Sequence, residues 1–156
     1  AEQFQIVTNT KLTHVPYKGG APAIVELIGG HVPLLFSSLG AASAHIQAGR
    51  IKALAVTSPK RSSMFPDVPT LAESGYPNFD ASIWFGVVGP AKLPQPVLDK
   101  LVPAFNAALQ EQSVQDAIRK EGYDLISMTP AQMQKQIAQD LDSWGKVIKS
   151  ANITYE

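Results

Sequence analysis

Two adjacent glycines give this chain its clearest candidate for binding an anion. Gly19 and Gly20 follow a short apolar stretch and precede a predicted helix. Glycine lets a ligand approach the backbone closely, and the first amides of a helix have no partner inside the helix, so such a position favours a carboxylate or a phosphate. The segment from Tyr17 to Pro22, named here the glycine turn, is predicted to bind an anion; the alternative is an ordinary connection between strand and helix.

The two residues before the glycines have two interpretations each. Tyr17 either lines a pocket or is a surface aromatic residue, and Lys18 either adjusts the rim of that pocket or is a solvated charge. Ser37 and Ser38, named here the serine turn, follow the next predicted strand as the glycines follow theirs. The two turns are therefore expected side by side at the carboxyl ends of neighbouring parallel strands, where open α/β sheets bind ligands. The alternative is that these serines cap the following helix.

Other reactive residue types lack the spacing that their chemistry needs. The histidines His14, His31 and His45 have no neighbours at metal-ligand spacing, and structural roles are expected for them. The chain has no GxSxG, GxGxxG or Walker-type motif. No general base, metal or nucleophile is predicted beside the turns, so the pattern is typical of a receptor. A small α/β hydrolase-like enzyme acting on an anionic substrate remains the alternative.

Composition excludes several classes of function. Lysine plus arginine balances aspartate plus glutamate at 13 each, and the absence of a basic cluster argues against nucleic-acid binding. There is no cysteine, which removes disulfides and thiolate chemistry. No stretch reaches the ~18 apolar residues of a membrane span. The first residues also lack an export signal, so the protein is expected to be cytosolic or to have its signal outside this chain.

Apolar runs alternate with short helical patterns over the first part of the chain. Strands are predicted at residues 13–16, 32–36 and 51–57, and helices at 21–28 and 39–48. Near-continuous apolar strands in this order are typical of a parallel sheet covered on both faces, so the predicted class is α/β.

A proline-rich loop at residues 58–69 separates this part from the rest. The pair Thr70 and Glu73 has the spacing of a capping box and predicts a one-turn helix. Further strands are predicted at 81–89 and 123–127. Helices are predicted from Pro94 to about residue 110, from Ser113 as its cap to Gly122, and from Thr129 to about residue 149.

Several longer strings of the sequence resemble a known family. They are HVPYKGGAPA, LIGGHVPLLF, AGRIKALAVTSPKR, FPDVPTLAESGYP, WFGVVGPAKLPQPVLDKL and WGKVIKSANI. In this order and spacing they resemble the substrate receptors of tripartite tricarboxylate transporters, also called Bug or TctC-type periplasmic solute-binding proteins. The resemblance covers essentially the whole chain, but a family member is about twice as long, as two domains of ordinary size require.

The resemblance implies a Venus-flytrap receptor of the type II periplasmic-binding-protein kind, incomplete here because its N-terminal half is absent. Residues 1–80 would form most of the second ligand-binding lobe, and residues 81–156 a crossover strand with C-terminal helices that return to the first lobe. The implied function is capture of a di- or tricarboxylate, an acidic amino acid or an aromatic acid in the periplasm for the membrane components of the transporter, without enzymatic activity or a cofactor. The missing half, or self-association, would complete the fold.

The resemblance also implies which residues contact the ligand. Gly19, Gly20 and Ala21 would offer backbone amides, and Pro22 would fix the start of the helix. The serine turn would face the same cleft, with Ser38 at a position that is often acidic in the family. The implied ligand-binding residues are Tyr17, Lys18, Gly19, Gly20, Ala21, Pro22, Ser37, Ser38 and Phe85.

Overall fold

Helices are the regular elements in the computed structural model, which describes residues 1–153. Within that range the chain forms α1 (Glu2–Thr8), α2 (Gly20–Ile28), α3 (Leu39–Gln47), α4 (Gln95–Gln110), α5 (Gln112–Lys120) and α6 (Pro130–Ser150). In the described part of the chain none of these helices combines the length and the apolar character that a membrane crossing requires.

The end of α2 follows from its glycines. Gly30 has a φ of 74°, its amide donates to the carbonyl of Leu27 at 3.1 Å, and the His31 amide donates to the carbonyl of Glu26 at 3.0 Å. This pair of bonds is a Schellman motif, which needs a positive φ that glycine adopts without strain. The predicted end of this helix at residue 28 is confirmed, and Gly29 and Gly30 are the residues that stop it.

The last helix begins at its predicted cap. The Thr129 hydroxyl accepts from the amide of Gln132 at 3.2 Å, and the Gln132 side chain accepts from the amide of Thr129 at 2.8 Å. These two reciprocal bonds form a capping box. The predicted cap of α5 is wrong, because the carbonyl of Glu111, not of Ser113, accepts the first helical bonds. Glu111 alone separates α4 from α5, so the new helix has to begin there.

The predicted one-turn helix at Thr70 is a turn instead, although its capping bonds are present. The Thr70 hydroxyl accepts from the amide of Glu73 at 3.0 Å, and the Glu73 carboxylate accepts from the amide of Thr70 at 2.8 Å. Arg61 also donates from Nε to both carboxylate oxygens of Glu73 at 3.0 Å. Glu73 therefore ties the proline-rich loop to the turn that follows it.

The predicted parallel sheet is absent from residues 1–153, and the five predicted strands are irregular segments there. Val56 and Thr70 form one parallel bridge, and the Ala81 amide donates to the carbonyl of Thr57 at 2.9 Å. A strand needs a neighbour for its backbone amides and carbonyls, and these segments find only this short contact. Their large apolar side chains are correspondingly exposed: Val15, Leu34, Phe36, Leu54, Ile83, Phe85, Val87, Val88 and Ile126.

The chain divides into two compact units. One joins Ala1–Val15 to the segment that begins at Ile126, and the other is Pro16–Leu125. The buried apolar residues of the described chain all lie in the second unit and are Ala23, Ile24, Ala42 and Phe79. In that unit α2 contacts α3, and α4 contacts α5. The assignment of residues 1–80 and 81–156 to two lobes stays a prediction.

Candidate functional site

Gly19 gives the glycine turn its conformation. It precedes α2 with a φ of 102° and a ψ of 176°, a region that essentially only glycine occupies. Its amide donates to the carbonyl of Tyr17 at 2.8 Å and closes a three-residue turn. Gly19 therefore shapes the backbone rather than offering a free amide, which corrects the expectation that all three amides of Gly19, Gly20 and Ala21 are available.

The amides of Gly20 and Ala21 are the open donors of this turn. They are the first two positions of α2, both residues are exposed, and neither amide has a hydrogen-bond partner among residues 1–153. The residue before the helix makes no side-chain cap, and the first turn of α2 contains no acidic residue. Pro22 has no amide hydrogen and suits the first turn. The positive end of this helix dipole is thus uncompensated by the described side chains.

The serine turn begins α3 in a similar way. Ser38 precedes α3 in an extended conformation, with a φ of −65° and a ψ of 143°, and its carbonyl accepts from the amide of Ala42 at 3.3 Å. Its side chain makes no cap bond within the described structure, and the first turn of α3 has no acidic residue. The alternative interpretation of Ser38 as a side-chain cap is therefore not realised.

The two turns lie next to each other. A methyl group added at Gly20 would stand 3.7 Å from Oγ of Ser37 and 3.8 Å from Cβ of Ala41. These are ordinary van der Waals distances, so the start of α2 faces the start of α3 without overlap. The expected proximity of the glycine turn and the serine turn is present, and Ser37 is the serine that faces Gly20.

The backbone between α5 and the next segment covers one side of α3. A methyl group on Gly40 would overlap the carbonyl oxygen of Glu121, and one on Gly122 would lie 3.0 Å from the amide nitrogen of Gly40. The negative end of α5 thus approaches the positive end of α3. The sequence predicts Gly122 only as the end of a helix and does not predict this contact; the available signal was the glycine at position 40, two residues after Ser38.

Tyr17 is half-buried immediately before the glycines. Burial first, and then the negative charge of Glu26, raises the pKa of Tyr17. Glu26 also lies 3.2 Å from Nδ1 of His31. Lys18 is exposed, and none of the ion pairs in the described residues involves it. No pattern in the sequence singles out Glu26, because a glutamate within a helix is ordinarily a solvated charge.

Phe85 is separate from these contacts in the described structure. Its side chain is 74% exposed, and its ring meets that of Tyr123 edge to face at 5.2 Å between centroids. No group of three or more potential metal ligands occurs in the described chain, and His45 has a buried Nδ1 without a hydrogen-bond partner there. The structure thus brings together Gly20 and Ser37, and leaves Phe85 with Tyr123.

Comparison with known proteins finds one family model and several relatives that match most of the chain. The family model described as "Tripartite tricarboxylate transporter family receptor" matches residues 1–153. Protein BugT of Bordetella pertussis is 38% identical over 148 residues, which are 95% of this chain and 45% of BugT. The chain spans about half the length of the curated relatives it matches.

Two similar solved structures carry ligands in their descriptions. One is an R. palustris protein with adipate, at 34% identity and a TM-score of 0.80, covering 98% of this chain and 51% of the other. The second is MatC from Rhodopseudomonas palustris with bound malate, at 26% identity and a TM-score of 0.74, covering 93% of this chain and 50% of the other. The backbone described above is therefore similar to about half of each of these proteins.

Proposed function

Because this chain belongs to the receptor family of tripartite tricarboxylate transporters, we propose that it forms part of a periplasmic receptor for a small carboxylate. The receptor releases its ligand to the membrane components of such a transporter and performs no chemistry on it. The observation that carries this proposal is the uncompensated start of α2 beside the start of α3, with the Gly20 and Ala21 amides unbonded among residues 1–153.

The glycine turn is proposed to bind one carboxylate group of the ligand. The amides of Gly20 and Ala21 donate to the carboxylate oxygens, and the Ser37 hydroxyl beside Gly20 is placed to donate as a further group. Hydrogen bonds to a charged group contribute roughly 1.5–3 kcal/mol each. The open end of the α2 dipole adds roughly 0.3–1 kcal/mol for a negative charge. Side chains of opposite charge are therefore not required at this position.

Dicarboxylates are the ligand class that we propose to test first. The relatives described with adipate and malate bind molecules with a carboxylate at each end. One carboxylate would occupy the glycine turn, and the second would contact residues outside this turn. Tyr17, Lys18 and Phe85 are proposed to contribute to the shape of the pocket rather than to hold the charge.

The parallel sheet is proposed to form in the full-length receptor. The predicted strand segments expose apolar side chains that are typical of buried strands, and the chain spans about half the length of its curated relatives. The remaining part of such a receptor would supply neighbouring strands and cover the side chains of segment 81–89. Affinity of the isolated chain should accordingly be low, because a two-lobed site loses donors when one lobe is absent.

Calorimetric titration of a chimera tests the function directly. In the chimera this chain replaces the matching region of BugT, and the ligands are malate, adipate, citrate, glutamate and benzoate. We expect at least one of them to bind, and Gly20→Val to abolish binding because its side chain would fill the space between the Gly20 amide and Ser37. Gly145→Val, at a helical glycine with nothing within 4 Å, is the matched control.

Two results would refute the proposal. One is unchanged affinity in Gly20→Val with the fold intact by circular dichroism. The other is steady hydrolysis of a carboxylate ester or phosphate ester by the chimera, which is the outcome that a hydrolase would give.

A further inference from the structure

The segment that follows α5 contacts three separate parts of the second unit. It comprises residues 121–124 and is named here the α5-end segment. Its first two residues lie with their backbone against Gly40 at the start of α3, where a methyl group would overlap the carbonyl oxygen of Glu121. Its last two residues contact two further segments through their side chains. One short segment therefore touches parts of the chain that are far apart in sequence.

Tyr123 and Asp124 provide these side-chain contacts. The Tyr123 ring meets the Phe85 ring edge to face at 5.2 Å between centroids. Oδ1 of Asp124 accepts a hydrogen bond from the Ser63 hydroxyl in the proline-rich loop at 2.5 Å. Because Phe85 is 74% exposed and lies in an irregular segment, the bond to Ser63 is the stronger attachment of the two.

Ser63 lies in a part of the loop that is itself held in place. The neighbouring Ser62 is buried, and its hydroxyl oxygen accepts from the amide of Met64 at 3.2 Å. On the other side, Arg61 donates from Nε to both carboxylate oxygens of Glu73 at 3.0 Å. A hydrogen bond restrains its acceptor only if the donor is fixed, so Ser63 is suited to hold the α5-end segment.

The contact of this segment with α3 continues to the glycine turn. Ser37 precedes Gly40 in the chain and Ala41 follows it, and both face the start of α2. A methyl group at Gly20 would stand 3.7 Å from Oγ of Ser37 and 3.8 Å from Cβ of Ala41. A shift of the start of α3 would therefore move the Ser37 hydroxyl away from Gly20 or close the space between them.

We propose that Asp124 is a positioning residue for the carboxylate site: its bond to Ser63 holds the α5-end segment against α3. The start of α3 then keeps the Ser37 hydroxyl beside Gly20. This inference rests on the proposed function, because it assigns a role within the same site. Holding the donors in their bound arrangement before the ligand arrives lowers the entropy that binding costs. Asp124 contributes to affinity without touching the ligand.

The negative charge of Asp124 has the opposite effect to its hydrogen bond. A carboxylate repels an anionic ligand, so removal of the charge by itself would tighten binding. Loss of the bond to Ser63 would weaken binding, because the start of α3 is then less restrained. Asparagine separates the two effects, since its side-chain oxygen still accepts a hydrogen bond but carries no charge.

Amide spectra of the 156-residue chain test this role, with malate as the probe. The shifts of the Gly20 and Ala21 amides against malate concentration give an apparent Kd for each variant. We expect Asp124→Ala and Ser63→Ala each to raise this Kd about three- to tenfold, the range for one net hydrogen bond. The double variant should bind no more weakly than the weaker single variant, since both substitutions remove the same bond.

Two further variants separate positioning from a general effect on the fold. Asp124→Asn should keep the Kd within about twofold of the original. Asp116→Ala is the matched control and should leave the Kd unchanged, because Asp116 is an exposed carboxylate of α5 that pairs with Arg119. An equal loss of affinity in Asp124→Asn and Asp124→Ala would overturn the proposal. An unchanged Kd in Asp124→Ala, in a chain that binds malate, would also overturn it.

Hydrogen exchange without ligand keeps this test independent of the proposed function. The Ala42 amide donates to the Ser38 carbonyl at 3.3 Å and reports on the start of α3. It should exchange about three- to tenfold faster in Asp124→Ala than in the original chain or in Asp124→Asn, because α3 loses a restraint. If exchange responds in this way but neither malate nor adipate shifts the amides of the original chain, the proposed function fails while the positioning of α3 stands. Unchanged exchange in Asp124→Ala would refute the positioning role.

Discussion

Gly19 sets the backbone conformation of the proposed binding site. Its φ of 102° and ψ of 176° lie where a side chain is strained, and such conformations are concentrated at ligand-binding turns. Gly20, one residue later, begins α2 and has room for a methyl group at 3.7 Å or more from its neighbours. The two glycines therefore differ: Gly19 sets the shape of the turn, and Gly20 leaves space beside Ser37 for the proposed ligand.

This difference predicts opposite effects of alanine at the two positions. Gly19→Ala should lower the free energy of unfolding by about 1–3 kcal/mol, because alanine is strained at that φ and ψ. Gly20→Ala should leave it unchanged or raise it by up to about 1 kcal/mol, since alanine favours the helix. Urea unfolding followed by tryptophan fluorescence measures both. Equal effects of the two substitutions would contradict the separate roles.

The stability of the folded chain is predicted to depend on pH through Glu73. The hydrogen bonds from Arg61 first, and then from the Thr70 amide, lower the pKa of Glu73 below its ordinary value. A lowered pKa in the folded state means that the stabilising contribution is present above the unfolded-state pKa and is lost as pH falls through the folded-state pKa. As the pH falls from 5, the free energy of unfolding should therefore decrease less in Arg61→Gln than in the original chain. Both are followed down to the lowest pH at which the two proteins stay folded. Parallel acid-unfolding curves for the two proteins would contradict this assignment.

At the scale of elements, the contact between α3 and the end of α5 depends on two glycines. Gly40 has no room for a side chain because the carbonyl oxygen of Glu121 lies against it, and Gly122 ends α5 with a φ of 80°. This contact is made by backbone, which cannot rotate away as a flexible side chain can. The start of α3 is therefore held by the end of α5, where Glu121 lies 81 residues after Gly40 in the chain.

Gly40→Ala should consequently destabilise the second unit, by about 1–3 kcal/mol, the usual cost of excess volume in a packed contact. Gly145→Ala is the control, because a methyl group there meets nothing within 4 Å inside α6 and should stabilise by up to about 1 kcal/mol. Both changes are measured by urea unfolding. A Gly40→Ala protein as stable as the original would contradict this prediction. It would show that α3 and α5 can move apart without a loss in the free energy of unfolding.

At the scale of the whole molecule, the apolar segment 81–89 is the most consequential exposed surface. Ile83, Phe85, Val87 and Val88 are each more than 60% exposed among the described residues. Consecutive exposed apolar residues of this kind favour association. In a full-length receptor we propose that other strands cover them, and in the isolated chain they are available to a second copy.

The isolated 156-residue chain is therefore expected to self-associate. Sedimentation should give a mass that rises with concentration, and a dye that reports exposed apolar surface should bind. Replacing Phe85 and Val87 with serine should reduce both effects, whereas Leu141→Ser, at an exposed apolar residue of α6, should change them less. A single monomeric species without dye binding would contradict this expectation.

The sequence by itself determined the local elements and the family. Helix limits followed from caps and glycines near in the chain, as at Gly30 and Thr129, because these signals act over one turn. The adjacent glycine and serine turns were also predictable, since each follows an apolar segment and begins a helix. The resemblance of the longer strings identified the family that the comparison then showed.

Tertiary structure alone decided which groups are engaged. The Ser37 side chain faces Gly20, and the carbonyl oxygen of Glu121 lies against Gly40. Neither contact follows a local pattern, because each depends on how segments distant in the chain approach in space. The predicted sheet is not formed within residues 1–153 for the same reason: apolar alternation specifies which side chains favour burial, whereas pairing requires a neighbouring strand at hydrogen-bond distance.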